Sequence, residues 1–202
     1  MLELMWIVRH GESTWNARDL VQGQAPGPVL SRRGRHQARA AARLIAGAPV
    51  SAVIASDLER ALQTAEPIAR ALGLPVRTDK RLRERALGVA EGRPAALLDP
   101  ESSGTRAGRV VDSDAAPPGG ESVAELYRRV TACMTELAEE TEPLVVTHGG
   151  VVRVLFAWTA GTAPEEMPWG PVANGRVQWW AMPSAVARAA RPGPVREVEA
   201  QR

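Results

Sequence analysis

Leu4-Met5-Trp6-Ile7-Val8 is a nearly continuous apolar run, and Arg9-His10-Gly11-Glu12 follows it without a break. A run that is apolar at every position reads as a strand buried on both faces, as in a parallel sheet. The same grammar repeats along the chain. Val50 to Ala55 and Leu144 to Thr147 are further short apolar runs, each followed by polar residues. Val76 and Leu82 bracket a weaker strand, and Val177 to Met182 reads as the final one. Between them lie amphipathic stretches. Ser31 is placed to cap a helix running to about Ala46, with Ala38, Ala41, Ala42 and Ile45 on one face. Asp57 to Leu72 reads as a helix closed by Gly73 and Pro75. A long helix is expected from Ser122 to about Glu140, and a shorter apolar one over Val151 to Thr159. Strands alternating with helices predict an α/β fold, a three-layer α/β/α sandwich around a mainly parallel sheet.

The expected organisation is one domain over residues 1–183, with a tail over 184–202 that is partly disordered. Within that tail Val195 to Val198 has the pattern of a short edge strand. Asp99 to Gly120 is rich in Ser, Gly, Asp and Pro and is too long for a simple connection, so it reads as a lid-like loop.

Composition narrows the function classes. The 202 residues are 45% apolar and 24% charged, ordinary values for a globular domain. No apolar run is long enough to span a bilayer, and the amino terminus lacks the pattern of a signal peptide, so the expected location is cytoplasmic. Cys133 is the lone cysteine, which leaves no internal disulfide and no cysteine-rich metal cluster. The net charge is +2, and the arginines are scattered among acids. No basic stripe marks a nucleic-acid partner, and no membrane partner is implied. A homodimer is a possible assembly.

The polar residues are informative by position. In open α/β sheets ligands bind beyond the carboxyl ends of the strands. Arg9 and His10 follow the first strand, Ser56, Asp57 and Arg60 the second, Glu84 the weak third, and His148 with Gly149-Gly150 the Leu144 strand. Four strand ends thus bring two arginines, two histidines and a glutamate toward one edge. This set suits phosphoryl transfer. Guanidinium forks match phosphate oxygens, and helix N-termini near Arg60 and Gly149 add backbone N–H donors. A neutral imidazole can attack phosphorus, and a carboxyl group can protonate the leaving oxygen. Enough positive charge is present for the chemistry to need no metal, and no acidic cluster for Mg²⁺ stands out. Taken singly, each residue has a plainer reading: Arg60 as a surface helix arginine, Glu84 as half of a solvated ion pair, His36 as a surface histidine. Their joint placement carries the argument.

These residues also carry a resemblance. Arg9-His10-Gly11-Glu12-Ser13-Thr14-Trp15-Asn16 resembles the signature of the histidine phosphatase superfamily, in its phosphoglycerate mutase-like branch. Ser56-Asp57-Leu58-Glu59-Arg60-Ala61-Leu62-Gln63-Thr64-Ala65 resembles the family's second block. Leu82-Arg83-Glu84 and Thr147-His148-Gly149-Gly150 resemble the third and fourth, and Pro118-Gly119-Gly120-Glu121-Ser122 the opening of its long helix. The resemblance implies that His10 is the phosphorylated nucleophile, with Arg9, Arg60 and His148 holding phosphoryl oxygens. It implies that Glu84 is the proton donor, that Asn16 contacts the phosphoryl group, and that Gln22, Gly23 and Gly149 line the substrate. It implies no metal and no organic cofactor. One departure stands out. Leu87-Gly88-Val89-Ala90-Glu91-Gly92 has two small apolar residues where relatives carry an acidic and aromatic pair.

Within the family a mutase resembles this chain in its core but adds an insertion opening Glu-Arg-His-Tyr. Here Glu84-Arg85-Ala86-Leu87 stands in that place. The expected activity is therefore a phosphatase acting on a phosphorylated small molecule. The alternatives are a phosphoglycerate mutase-type phosphotransferase and a weakly active regulatory or binding member. Arg83, Arg85, Arg93, Arg106 and Arg109 are candidates to meet a second anionic group on the substrate. Asp99 to Gly120, with Val89 and Ala90, is the expected selectivity element.

Overall fold

A computed structural model describes residues 3–182 and 196–197. Strand β1 spans Glu3–Arg9 and helix α1 spans Arg32–Ile45. Ser31 caps α1, its hydroxyl accepting the Gly34 N–H. Strand β2 (Ala52–Ala55) leads into α2 (Glu59–Leu72), which ends at Gly73 in the left-handed region that glycine tolerates best. Strand β3 is only Val76–Thr78; a single 3-10 turn over Lys80–Leu82 takes the place of its expected continuation. Asp79 opens that turn by accepting the Arg81 N–H.

Residues 99–120 are more ordered than their composition suggests. They hold a short helix α3 (Pro100–Ser103) and a hairpin of β4 (Thr105–Arg106) and β5 (Arg109–Val110). Val110 and Ser103 are buried. Gly108 C=O accepts the Trp169 N–H at 2.7 Å, which fastens the hairpin to the body. Helix α4 (Val123–Leu137) begins with a capping box between Ser122 and Glu125. Such a cap is typically worth about 1 kcal/mol. Strand β6 (Pro143–Thr147), helix α5 (Gly149–Thr159), β7 (Val177–Met182) and β8 (Arg196–Glu197) complete the chain.

The sheet order is β3-β2-β6-β1-β7-β8. The first four strands are parallel; β7 and β8 run antiparallel. Arg196 and Glu197 form the edge strand expected in the tail, whose other residues lie outside the described ones. The layers follow from strand alternation. Ile7, Ile54 and Val145 point to one face and pack with α4 and α5. Val8, Val53, Ala55, Leu144 and Val146 point to the other and pack with α1 and α2. This is the α/β/α sandwich around a mainly parallel sheet. Because Arg9 pairs with Thr147 and Ala55 with Val146, the next residues of three strands, His10, Ser56 and His148, emerge at one edge.

Candidate active site

His10 and His148 meet where β1 and β6 end side by side. Their rings are 5.0 Å apart, centre to centre, at 60°. His10 Nδ1 lies 2.7 Å from Gly11 C=O, which can only accept, so Nδ1 holds the ring proton and Nε2 has the lone pair. Both imidazoles are pushed well below their ordinary pKa, first by burial and then by the Arg60 and Arg9 charges. They are neutral at physiological pH. His148 Nε2 lies 2.8 Å from Ser56 Oγ, while its Nδ1 is buried without a partner.

Arg60, in the first turn of α2, is buried, and its Nη2 donates to Gly23 C=O at 2.7 Å. Arg9 donates through Nη1 to Val172 C=O. The Nε atoms of both arginines are buried and unpartnered. Burial pushes both guanidiniums down to about 10, against the opposing pull of Glu84, so both remain charged. Two guanidinium Nε atoms and His148 Nδ1 are thus buried nitrogens without a partner, on the residues whose charges and ring act on His10. Buried polar atoms rarely stay unpaired unless a ligand completes them.

Glu84 comes into place by a different route. Arg129 of α4 donates to Arg81 C=O at 2.6 Å and to Arg83 C=O at 3.0 Å, and is itself paired with Glu121 at 2.7 Å. Thr147 Oγ1 donates to Leu82 C=O at 2.8 Å. The Glu84 carboxylate accepts the Gly150 N–H through both oxygens, at 3.1 and 3.0 Å, and the Arg85 N–H at 2.8 Å. A Cβ on residue 150 would collide with that carboxylate, which is why glycine stands there. Gly11 is constrained differently: a Cβ there would strike the Gly34 backbone of α1, so its smallness serves packing rather than ligand approach.

Beside Glu84 opens a cavity of about 150 Å³, lined by Gln22, Gly23, Glu84, Arg153 and Trp169 among others. Gln22 is fixed by the Ser13 hydroxyl at 2.6 Å. Asn16 accepts the Ser13 N–H at 3.0 Å, and Asn174 bridges it to His10 C=O. Gly149 packs against Arg9 and Arg153. The expected site residues therefore converge. Of the expected selectivity residues, Arg85, and Thr105 of the 99–120 segment, line the cavity, and the others named do not. Arg93, Arg106, Arg109 and Val89 are exposed, and neither Val89 nor Ala90 lines the cavity. Arg83 is taken by Asp57, with two contacts of 2.6 Å. Arg85 is buried and donates to Glu121, Ser103 and Ala115 C=O at 2.6, 2.7 and 3.0 Å. It holds the 99–120 segment to the body. Arg153, which the sequence reading passed over, reaches the cavity, and Trp169 forms part of its wall. Arg153 donates to Gly170 C=O at 2.7 Å and stacks on Trp169 at 4.8 Å. Its signal was that it is the sole charge in the apolar helix α5. Trp169 had no such signal. Among the described residues no group of three or more His, Cys, Asp or Glu side chains is placed to hold a metal, and no helix is long and apolar enough to cross a membrane.

The family pattern of the histidine phosphatase superfamily (branch 1) matches residues 5–186. The chain belongs to that superfamily. A probable phosphoglycerate mutase GpmB of Yersinia enterocolitica is 40% identical over 171 residues, covering 79% of this chain and 76% of that protein. A mycobacterial glucosyl-3-phosphoglycerate phosphatase, solved with VO3, superposes with a TM-score of 0.74 at 30% identity, covering 88% of this chain and 90% of that one. Bacillus stearothermophilus YhfR gives 0.74 at 26%, covering 87% and 89%. Members of this superfamily are phosphatases and mutases, and the chain is a phosphoryl-transfer enzyme.

Proposed function

We propose that the protein is a phosphatase that hydrolyses a small-molecule phosphomonoester through a phosphohistidine at His10. His10 Nε2 attacks phosphorus while Arg9, Arg60 and His148 hold the equatorial oxygens. The bond from phosphorus to the leaving oxygen breaks, and that oxygen takes a proton from the Glu84 carboxyl group. Glu84, now a carboxylate, removes a proton from water. The water oxygen attacks phosphorus, the P–N bond breaks, and inorganic phosphate leaves with His10 restored. Positioned positive charge does most of the work.

The observation that carries hydrolysis over mutase chemistry is the leaving-group side of the site. A mutase must retain its dephosphorylated intermediate. Here the cation that residues 85–122 bring to the cavity, Arg85, is tied through all three nitrogens to backbone carbonyls, and Arg106 and Arg109 are exposed. The similarity to a phosphoglycerate mutase keeps the second reading in view. Brief exposure to a ³²P-labelled phosphomonoester should leave acid-labile label on the wild type and none on His10→Ala. EDTA should not change turnover. With labelled phosphoglycerate, inorganic phosphate should accumulate without positional isomers; isomers in excess of phosphate would establish the mutase reading instead.

A further inference from the structure

His148 uses one ring nitrogen against Ser56 and leaves the other without a partner, and this asymmetry has a chemical cause. Ser56 follows β2 directly and is fully buried, as is His148. Its Oγ accepts the Leu58 N–H at 3.3 Å and lies 2.8 Å from His148 Nε2. A hydroxyl has one proton to give. The Leu58 N–H can only donate, so it occupies an acceptor position of Ser56. His148 Nε2 is then the acceptor available to the Ser56 proton. Were Nε2 protonated instead, the hydroxyl would receive two N–H groups, and its own proton would be buried without an acceptor. The Nδ1 lone pair would be unpaired as well, so that tautomer strands two buried groups where the other strands one.

We propose that Ser56 is a positioning residue that holds the proton of His148 on Nδ1, so that a neutral imidazole offers an N–H to the phosphoryl oxygens of the substrate. The proposal rests on the reading that this pocket receives a phosphoryl group. It accounts for the buried, unpartnered Nδ1, left as an open donor as the Nε atoms of Arg9 and Arg60 are. The imidazolium form is disfavoured by burial and by Arg60, His10, Arg9 and Arg129. With the cationic form suppressed, the tautomer decides the sign of the contact. A proton on Nε2 would turn the Nδ1 lone pair toward anionic oxygens and repel them. An imidazole left to itself in water favours the proton on Nε2, so a fixed hydroxyl is needed to reverse that preference.

The chain has only three histidines, so long-range ¹H–¹⁵N spectra of the ¹⁵N-histidine-labelled protein resolve the tautomer directly. Wild type at neutral pH, without ligand, should show His148 neutral and protonated at Nδ1. Ser56→Ala should move that proton to Nε2 and weaken the binding of inorganic phosphate about tenfold, the scale of one hydrogen bond. Ser56→Thr, which keeps the hydroxyl, should retain the wild-type spectrum and affinity. A wild-type His148 protonated at Nε2, or an unchanged tautomer in Ser56→Ala, overturns the proposal. The wild-type spectrum decides it even if the alanine variant does not fold. Failure of inorganic phosphate to bind the wild type would break the reading of the pocket instead, because the tautomer is measured without ligand.

Discussion

Arg60 and Arg85 are both buried guanidiniums, one on each side of the site, and both are pushed down to about 10 by desolvation. Their roles are opposite. Arg60 spends its terminal nitrogens on the carbonyls of residues 23 and 25 and leaves Nε open. Arg85 engages all three nitrogens on carbonyls of its own segment. Burial and a depressed pKa therefore do not mark a ligand-binding arginine; the unspent donors do. The same contrast separates the two regions. The phosphoryl side is anchored at strand ends and keeps open donors. On the leaving-group side Arg85 and Arg83 are spent on their own surroundings, and Arg153 is the cation that keeps its terminal nitrogens for the cavity.

The comparison breaks if activity and stability do not divide along this line. The largest effect is expected from Glu84→Gln, with turnover of a sugar phosphate falling by about 10²- to 10⁴-fold and p-nitrophenyl phosphate by much less, since its leaving group hardly needs a proton. Equal losses in the two assays would remove Glu84 from the acid role. Arg60→Ala should lower kcat/KM for both substrates alike, by about 10²- to 10³-fold, as loss of an oxyanion donor does. Arg85→Met should act on the fold instead. It strands one buried and two part-buried carbonyls, and a loss of about 3 kcal/mol is expected in denaturant melts, with the affinity for inorganic phosphate nearly unchanged. A variant of normal stability and weakened phosphate binding would reverse the two assignments.

Acid sharpens the contrast. His10 and His148 are pushed well below the ordinary 6.5, so between that value and their lowered pKa the unfolded chain binds more protons than the folded one. Stability from these two groups is full above about 6.5 and falls as pH drops, by up to about 1.4 kcal/mol per pH unit for each. Thermal melts from pH 7 to 5 should show this loss, and His148→Asn should reduce the slope. The smallest effect is expected from Arg106→Ala with Arg109→Ala. Both side chains are exposed, and kcat/KM should stay within about twofold for any phosphomonoester tested.

The phosphoryl side was legible because each of its groups sits within a few residues of a strand that announces itself. Val8 predicts where Arg9 and His10 fall, and Val146 does the same for His148. The leaving-group side was less legible because its logic is not local. Arg85 and Arg106 look alike in sequence; only the carbonyls of residues 103, 115 and 121, brought close in space, separate the buried tie from the solvated charge. The Ser- and Gly-rich composition of 99–120 suggested a lid-like loop without saying whether it is ordered; a hairpin and the Trp169 N–H bond to Gly108 C=O order it.

Strand periodicity, helix caps and the polar residues after each strand determined the layered fold, the edge at which ligands meet it, and the five side chains gathered there. These are short-range properties, set by alternation and by which residue follows a strand. Tertiary structure decided which donors remain open, that Arg153 and Trp169 wall the cavity, and which nitrogen of His148 faces Ser56. Those outcomes depend on where carbonyls and hydroxyls from distant parts of the chain come to rest, and hydrogen-bond satisfaction in a buried site is settled only once every partner is in place.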